Sequence, residues 1–481
     1  MSEYFDLGNY SRPISTNSPE AQLWFDRGLV WTYGFNHEEA IRCFKRVVKI
    51  DPQCGVGYWG IAYAKGPFYN KPWAFYGRSE LPTAVQACYE YVQTAFAHSQ
   101  HSSPVEQALI KALTHRYPKP AVVTQAEFDQ WDADYADAMA KVYAQFPDDL
   151  DVIALYAEAM MTKTPWKLWN LQTGLPEEGA DTETAVAALE EGLHKIDQAN
   201  LPPHPGIVHL VIHAMEMSPT PEKALRAADS LRDLVPDSGH LCHMPSHIDV
   251  LCGHYFNAVV ASEKAVAADA KYLPTVGKFG FYTTACCHDF HLMMYAAMMM
   301  ADSKTAARAA RGITELVTAE LLQVDIPHLV STLDGYHSMH MHVPVRFGKW
   351  QEIIDMPHDL EPDLYLVSTA SRYYAKGVAF AALGQHEMAE HQVELFEAAV
   401  SRIPETRRFF NNKALDVLAI GREMMRGEMM YHRGNHNEAF AHLRPAVWLN
   451  DNLFYTEPWA WMHPPRHALG ALLLEHGHVE E

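Results

Sequence analysis

Two histidine pairs in this chain recur at a fixed offset, and that offset restricts the fold more than any other feature. His209 and His213 lie four residues apart, as do His243 and His247, and each member of the second pair follows its counterpart by 34 residues. Four residues is about one helical turn, so each pair shares one helix face. An offset of 34 residues is the length of a helix–turn–helix unit in a repeat array, where equivalent positions stack on neighbouring helices. All four imidazoles are then expected to face one space.

Helical periodicity dominates the rest of the chain, and strand-like alternation is scarce. At 481 residues and 48% hydrophobic, the chain is long enough for two or three domains or one long solenoid. The net charge of -21 argues against nucleic acid or an anionic membrane as the main partner and favours cationic ligands or metal ions. Seven cysteines in so long a chain are no disulfide framework. The start, Met1 to Asp6, has neither a basic nor an apolar leader region. The most apolar stretch, 290–301, falls far short of the roughly 20 residues a membrane span needs. These features together lead us to expect a cytoplasmic protein.

The segment LWFDRGLVWTYGFNHEEAIRCFKRVVKIDP carries Trp24, Gly28, Trp31, Ala40, Phe44 and Pro52. These six positions resemble the tetratricopeptide repeat pattern, which places small residues where two helices cross closely. The best match spans 19–52. Weaker copies follow at 239–271 (Gly253, Tyr255, Ala258, Ala265), 371–400 (Gly377, Gly384, Ala389) and 420–450 (Gly427, Gly434, Ala439, Ala446). Segments 205–236, 287–320 and 334–360 are degenerate copies, and Gly253, Gly348, Gly384 and Gly434 mark helix-to-helix turns. The resemblance implies an all-α, right-handed α-α superhelix over 1–481 as one array. Within it lie a His-rich centre at 205–360, C-terminal repeats at 371–450 and a cap at 451–481. Three aromatic and Pro-rich stretches, 66–82, 164–206 and 454–466, interrupt the pattern as insertions or caps, the second around a short helix near 182–197.

In that family the first helix of each repeat lines a concave groove through positions 2, 5, 9 and 12. Aligning the repeats on position 20 with Ala258 puts His240, His243 and His247 at 2, 5 and 9. One repeat earlier, His209, His213 and Glu216 fall at 5, 9 and 12. Ala306 gives His288, His291 and Tyr295 at 2, 5 and 9, and Ile353 gives His342 at 9, with His337 and His340 nearby. The first and sixth repeats place no histidine there.

Neutral imidazole is a common ligand for Zn, Cu, Fe and Ni, and a pair at i and i+4 can reach one ion. The candidate ligands are therefore His209, His213, His240, His243, His247, His288, His291 and His342. Glu216 and Tyr295 are the candidate catalytic groups, with Glu216 also able to serve as a ligand or to orient a histidine. Any one of these histidines taken alone is more often an ordinary polar side chain, and it is the paired pattern that points to a metal. Met244, Met293, Met294 and Met298 to Met300 lean the choice of metal towards copper, with iron or zinc as alternatives, although methionine is also ordinary core filler. Arg346, Trp73 and Trp166 are candidate contacts for a small organic substrate, whose chemistry is expected to be oxidative. His37, His358, His386, His391, His432, His436, His476 and His478 sit in polar or turn contexts and read as solvated. No G-x-x-x-x-G-K-[ST] loop occurs, no G-x-G-x-x-G follows a strand, and a nucleophile elbow and C-x-x-C are absent. Two other functions use the same scaffold: a non-catalytic groove that binds a peptide or partner protein, and a metal storage or delivery protein.

Overall fold

A computed structural model describes residues 4–357 and 359–481, and the chain divides into two compact units, Met1–Thr275 and Val276–Glu481. The boundary falls inside the His-rich segment, so 205–360 is shared between units. Among the described residues no helix is long and apolar enough to cross a membrane.

The first unit is built from helical hairpins. α1 (Pro19–Tyr33) and α2 (His37–Ile50) form the first, where the best repeat match lies. Ser18 caps α1 by accepting a hydrogen bond from the Ala21 backbone, and Pro19 starts the helix where no N–H is needed. α3 (Gly55–Lys65), α4 (Glu80–His98), α5 (Pro104–Arg116), α6 (Gln125–Gln145), α7 (Leu150–Met161) and α8 (Thr182–Gln198) follow, each packing on the next. Then come α9 (Pro205–Met215), α10 (Leu225–Leu231), α11 (Gly239–His243), α12 (Pro245–Leu251) and α13 (Tyr255–Val276), which runs to the boundary.

The small residues do what the repeat pattern asks of them. Phe44 on α2 wedges between Gly28 on α1 and Gly60 on α3, where a Cβ would come within 2.7 Å and 2.6 Å of its ring. The turn glycines Gly253, Gly348, Gly384 and Gly434 all have φ between +62° and +81°, the left-handed conformation that ends a helix.

An extended N-terminal segment is clamped to this unit by a buried carboxylate. Asp151, at the start of α7, accepts from the hydroxyls of Tyr10 and Tyr33 (both 2.5 Å) and from Arg12 Nη1 (2.5 Å). Burial alone would raise the Asp151 carboxyl. Hydrogen bonds from His204 and Tyr10, with the Arg12 charge, outweigh that and hold it well below the usual range.

The second unit repeats the plan with α14 (Tyr282–Met299), α15 (Ser303–Leu316), α16 (Pro327–Ser338), α17 (His342–Arg346) and α18 (Trp350–Asp355). α19 (Leu366–Ala382) with α20 (His386–Val400), and α21 (Ala414–His432) with α22 (His436–Asp451), are regular hairpins. α23 (Pro465–Glu475) packs on α22. A two-residue hairpin pairs β1 (Arg408–Phe409) with β2 (Asn412–Lys413), with Arg408 opposite Lys413.

Replacing Gly60 with Leu forces an isobutyl group into the Phe44 ring. We expect a loss of about 1–3 kcal/mol, read as a lower urea midpoint with an unchanged slope.

Candidate metal centre

α9 carries the first histidine pair and begins on a side-chain cap. His204 Nδ1 accepts from the Ile207 backbone N–H (3.2 Å), and Pro205 follows at the first helical position. α9 is buried on every side, so His209 and His213 are fully enclosed. The second pair spans a break. Pro245 contributes no N–H, and the helix divides at Met244 into α11 and α12. His243 and His247 still meet, with ring centroids 4.7 Å apart.

The hydrogen bonds fix which nitrogen of each ring faces inward. His209 Nδ1 lies 2.6 Å from the Tyr33 carbonyl, which can only accept, so this nitrogen carries the proton. Glu216, at the C-terminal end of α9, holds two histidines at once. His213 Nδ1 donates to its Oε1 (2.7 Å) and His247 Nδ1 to its Oε2 (2.6 Å). All three rings are thereby left with an Nε2 lone pair. Two of these pairs meet another imidazole: His209 Nε2 is 3.1 Å from His240 Nε2, and His247 Nε2 is 2.7 Å from His243 Nε2. Two bare lone pairs would repel, so His240 and His243 hold the bridging protons.

Those two protons lie where a cation would sit. Nitrogens bound at roughly 2.0–2.1 Å to a tetrahedral ion are about 3.3 Å apart, close to the 3.1 Å of the His209–His240 pair, whereas the His243–His247 pair at 2.7 Å would have to open. His209, His213 and His240 each offer a nitrogen within 4.8 Å of the others, and all are buried. Carboxylate and carbonyl oxygens behind the imidazoles are the usual arrangement for setting ligand tautomer and basicity. Both Glu216 oxygens are engaged in that task, which makes it an orienting group and not a free base.

Aromatic rings close the cluster. Phe35, in the α1–α2 turn, adopts φ +54° and lies 4.5, 5.6 and 5.3 Å from the rings of His209, His213 and His240. A bulky residue in that conformation is an outlier, and these contacts account for it. Tyr69, from the aromatic insertion at 66–82, packs on His213 at 4.9 Å. Neither Phe35 nor the Tyr33 carbonyl announces itself in the sequence, because turn residues carry no periodicity. His37 is a correction: it is buried, stacks on Phe68 at 3.9 Å and bonds the Ala64 carbonyl (3.1 Å). Of the other histidines read as solvated, His391, His432, His476 and His478 are exposed and His386 and His436 half-buried, while His358 lies outside the described residues. A void of about 10 Å³ beside His209, lined also by Phe35, His37, Tyr63 and Glu158, has room for one water.

The remaining candidates are distributed as follows. Trp73 is a second correction: it is 2% exposed and stacked on Phe128 at 4.7 Å, so it has no face to offer a substrate. Trp166 is half-buried, stacks on Phe75 at 5.8 Å and donates its backbone N–H to the Tyr69 hydroxyl. His288, His291, His342, Tyr295 and Arg346 belong to the second unit. There His288 Nε2 is 3.7 Å from Glu457 and Tyr295 accepts from Trp459 Nε1 (3.1 Å). His291 is buried against Tyr336 and Phe410. Met293, Met294 and Met298 pack in the second unit's core, whereas Met244, next to His243 in the chain, is buried in the first unit.

Each unit is thus built from helical hairpins, and the tetratricopeptide-like sequence pattern falls on the α1–α2 pair. No family model matches the sequence, and no curated protein sequence does either. Among solved structures the chain is similar to yeast Tom70, with a TM-score of 0.30 and 10% identity over 96% of this chain and 90% of that one. It is also similar to the APC/C hetero-tetramer Cut9-Hcn1, with a TM-score of 0.30 and 13% identity over 95% of this chain and 79% of that one. These alignments are long but loose, and the site is read from its own residues.

Burial pushes both His37 and His209 down to about 3, so each stays neutral in the folded chain at pH values where the unfolded chain is protonated. Their contribution to stability is complete above the unfolded value of roughly 6.5 and is lost as the pH falls from there towards 3. Stability should decline across that window by up to about 1.4 kcal/mol per pH unit for each histidine, read as a falling melting temperature. His37→Phe should flatten the decline. A melting temperature constant from pH 7 to 4 would contradict this.

Proposed function

We propose that this protein binds a transition metal ion at the His209, His213, His240, His243 and His247 cluster and uses it in oxidative chemistry on a small organic molecule. The observation that carries the reading is Glu216: one buried carboxylate accepts an Nδ1–H hydrogen bond from a histidine on each of two helices and so fixes the tautomer in which both carry their lone pair on Nε2. Three nitrogen ligands leave coordination positions open, which is the catalytic and not the structural arrangement. Copper, iron and zinc all accept this donor set, and copper or iron would supply redox chemistry. The loop carrying Phe68 and Tyr69 covers the cluster, so a substrate larger than water needs that loop to move.

A second reading rests on a different observation. An open groove of about 930 Å³ on the first unit is lined by Tyr4, Tyr10, Asp26, Arg27, Asp237 and Lys271. A groove of mixed charge on a helical-repeat scaffold suits a peptide or partner protein, with no catalysis. Storage or delivery of metal is separated from both by stoichiometry.

Metal content of tag-free protein, measured by mass spectrometry, tests the reading. About one or two equivalents of a single metal are expected, lost in a His213→Ala/His247→Ala variant whose helical circular dichroism is retained. Glu216→Gln should keep the fold and weaken metal affinity by about 10–100-fold. Absence of metal after reconstitution with copper, iron and zinc would leave the scaffold reading standing.

A further inference from the structure

The second unit holds a group of polar side chains that the metal reading does not use. His342 and Arg346 are four residues apart on α17 and therefore share a face. His342 is 3% exposed, and its ring meets Trp461 edge-on at 4.7 Å. Trp461 in turn lies 4.9 Å from Tyr374. His342 Nδ1, His463 Nδ1 and Trp461 Nε1 are buried and have no hydrogen-bond partner. Leaving such groups unsatisfied costs about 1–3 kcal/mol each, so their number in one place calls for an occupant.

Arg346 is the only cation identified in this group. It is half-buried and takes part in no hydrogen bond or ion pair among the described residues. It lies near enough to His463 and His467 for its charge to act on both. Exposure increases from His342, which is buried, through half-buried His463 and Arg346 to exposed His467. The group therefore runs from the interior to the surface.

The chemistry selects the ligand. Burial first, then the Arg346 charge, pushes His463 down to about 3, so the imidazoles add no positive charge near neutral pH. A single guanidinium then matches one negative charge. A phosphate dianion would keep a charge uncompensated, and a metal ion would be repelled by Arg346. Carboxylate suits the planar guanidinium fork.

We propose that Arg346, His342 and His463 form a binding site for a small monocarboxylate, with Arg346 and the two imidazoles on the carboxylate oxygens. The site stands on residues separate from the metal cluster and does not depend on it.

Benzoate is the probe, titrated calorimetrically into the full chain alongside benzamide, its uncharged counterpart, and inorganic phosphate. Benzoate should bind at least about tenfold more tightly than either. Arg346→Gln should lose at least about tenfold in benzoate affinity with an unchanged melting temperature, whereas Arg466→Gln, which removes a surface pair with Asp451, should change nothing. In nitrogen NMR, benzoate should shift the His342 and His463 side-chain resonances. No benzoate binding up to about 10 mM, equal affinity for benzamide, or an unaffected Arg346→Gln variant would each overturn the site. Tighter phosphate than benzoate binding would overturn the ligand class.

Discussion

A carboxylate with no water around it must find its hydrogen bonds in protein, and Glu216 finds them on two helices. Its oxygens accept hydrogen bonds from His213 on its own helix and from His247 on α12. The same contacts set the tautomer of both rings and therefore which nitrogen faces inward. With the Tyr33 carbonyl acting in the same way on His209, the inner face of the cluster is decided by atoms that would touch no ligand. Hydrogen bonds of this kind strengthen one another at low dielectric, and a half-satisfied set would be worse than an apolar core.

The helical repeats supply the places where these atoms stand. A helix buried on all sides normally carries apolar residues throughout, yet α9 carries two imidazoles at 0% exposure. It can do so because each has a specific acceptor. Phe35 then covers the rings from the turn between α1 and α2, in a backbone conformation that an aromatic residue adopts only when its surroundings impose it. The first hairpin thus serves the cluster from its loop while its helices pack through Phe44 and the glycines.

Much of this was legible beforehand, for identifiable reasons. The i, i+4 spacing of the histidines and the 34-residue offset follow from helix geometry, which sequence expresses directly. Gly28, which admits Phe44, and the glycines at helix ends were readable because nothing else fits such positions, whereas Gly60 was not singled out. Other features left no trace. The division near Thr275 falls at the end of a long helix, with no linker composition to mark it. His37 sits in a sequence that looks like a polar helix start and is nevertheless buried under Phe68 from a distant loop. Trp73 lies in a loop whose composition resembles a substrate lid, but its ring is taken up by Phe128 some 55 residues later. In each case the deciding contact comes from an element that local pattern cannot reveal.

The N-terminal clamp sets an order of events during synthesis. Repeat arrays usually assemble from neighbours, each hairpin settling on the one before it. Here Arg12 and Tyr10 await Asp151, and the Asp6 backbone awaits Asp237, to which it donates at 2.7 Å. Residues 6–12 are thus among the last of the unit to be fixed, after more than two hundred later ones have emerged. A chain interrupted before that point would lack the closing contact that ties α7, α9 and the histidine helices together. The first unit accordingly behaves as a closed ring of dependencies, gaining or losing its order as a whole and not one hairpin at a time.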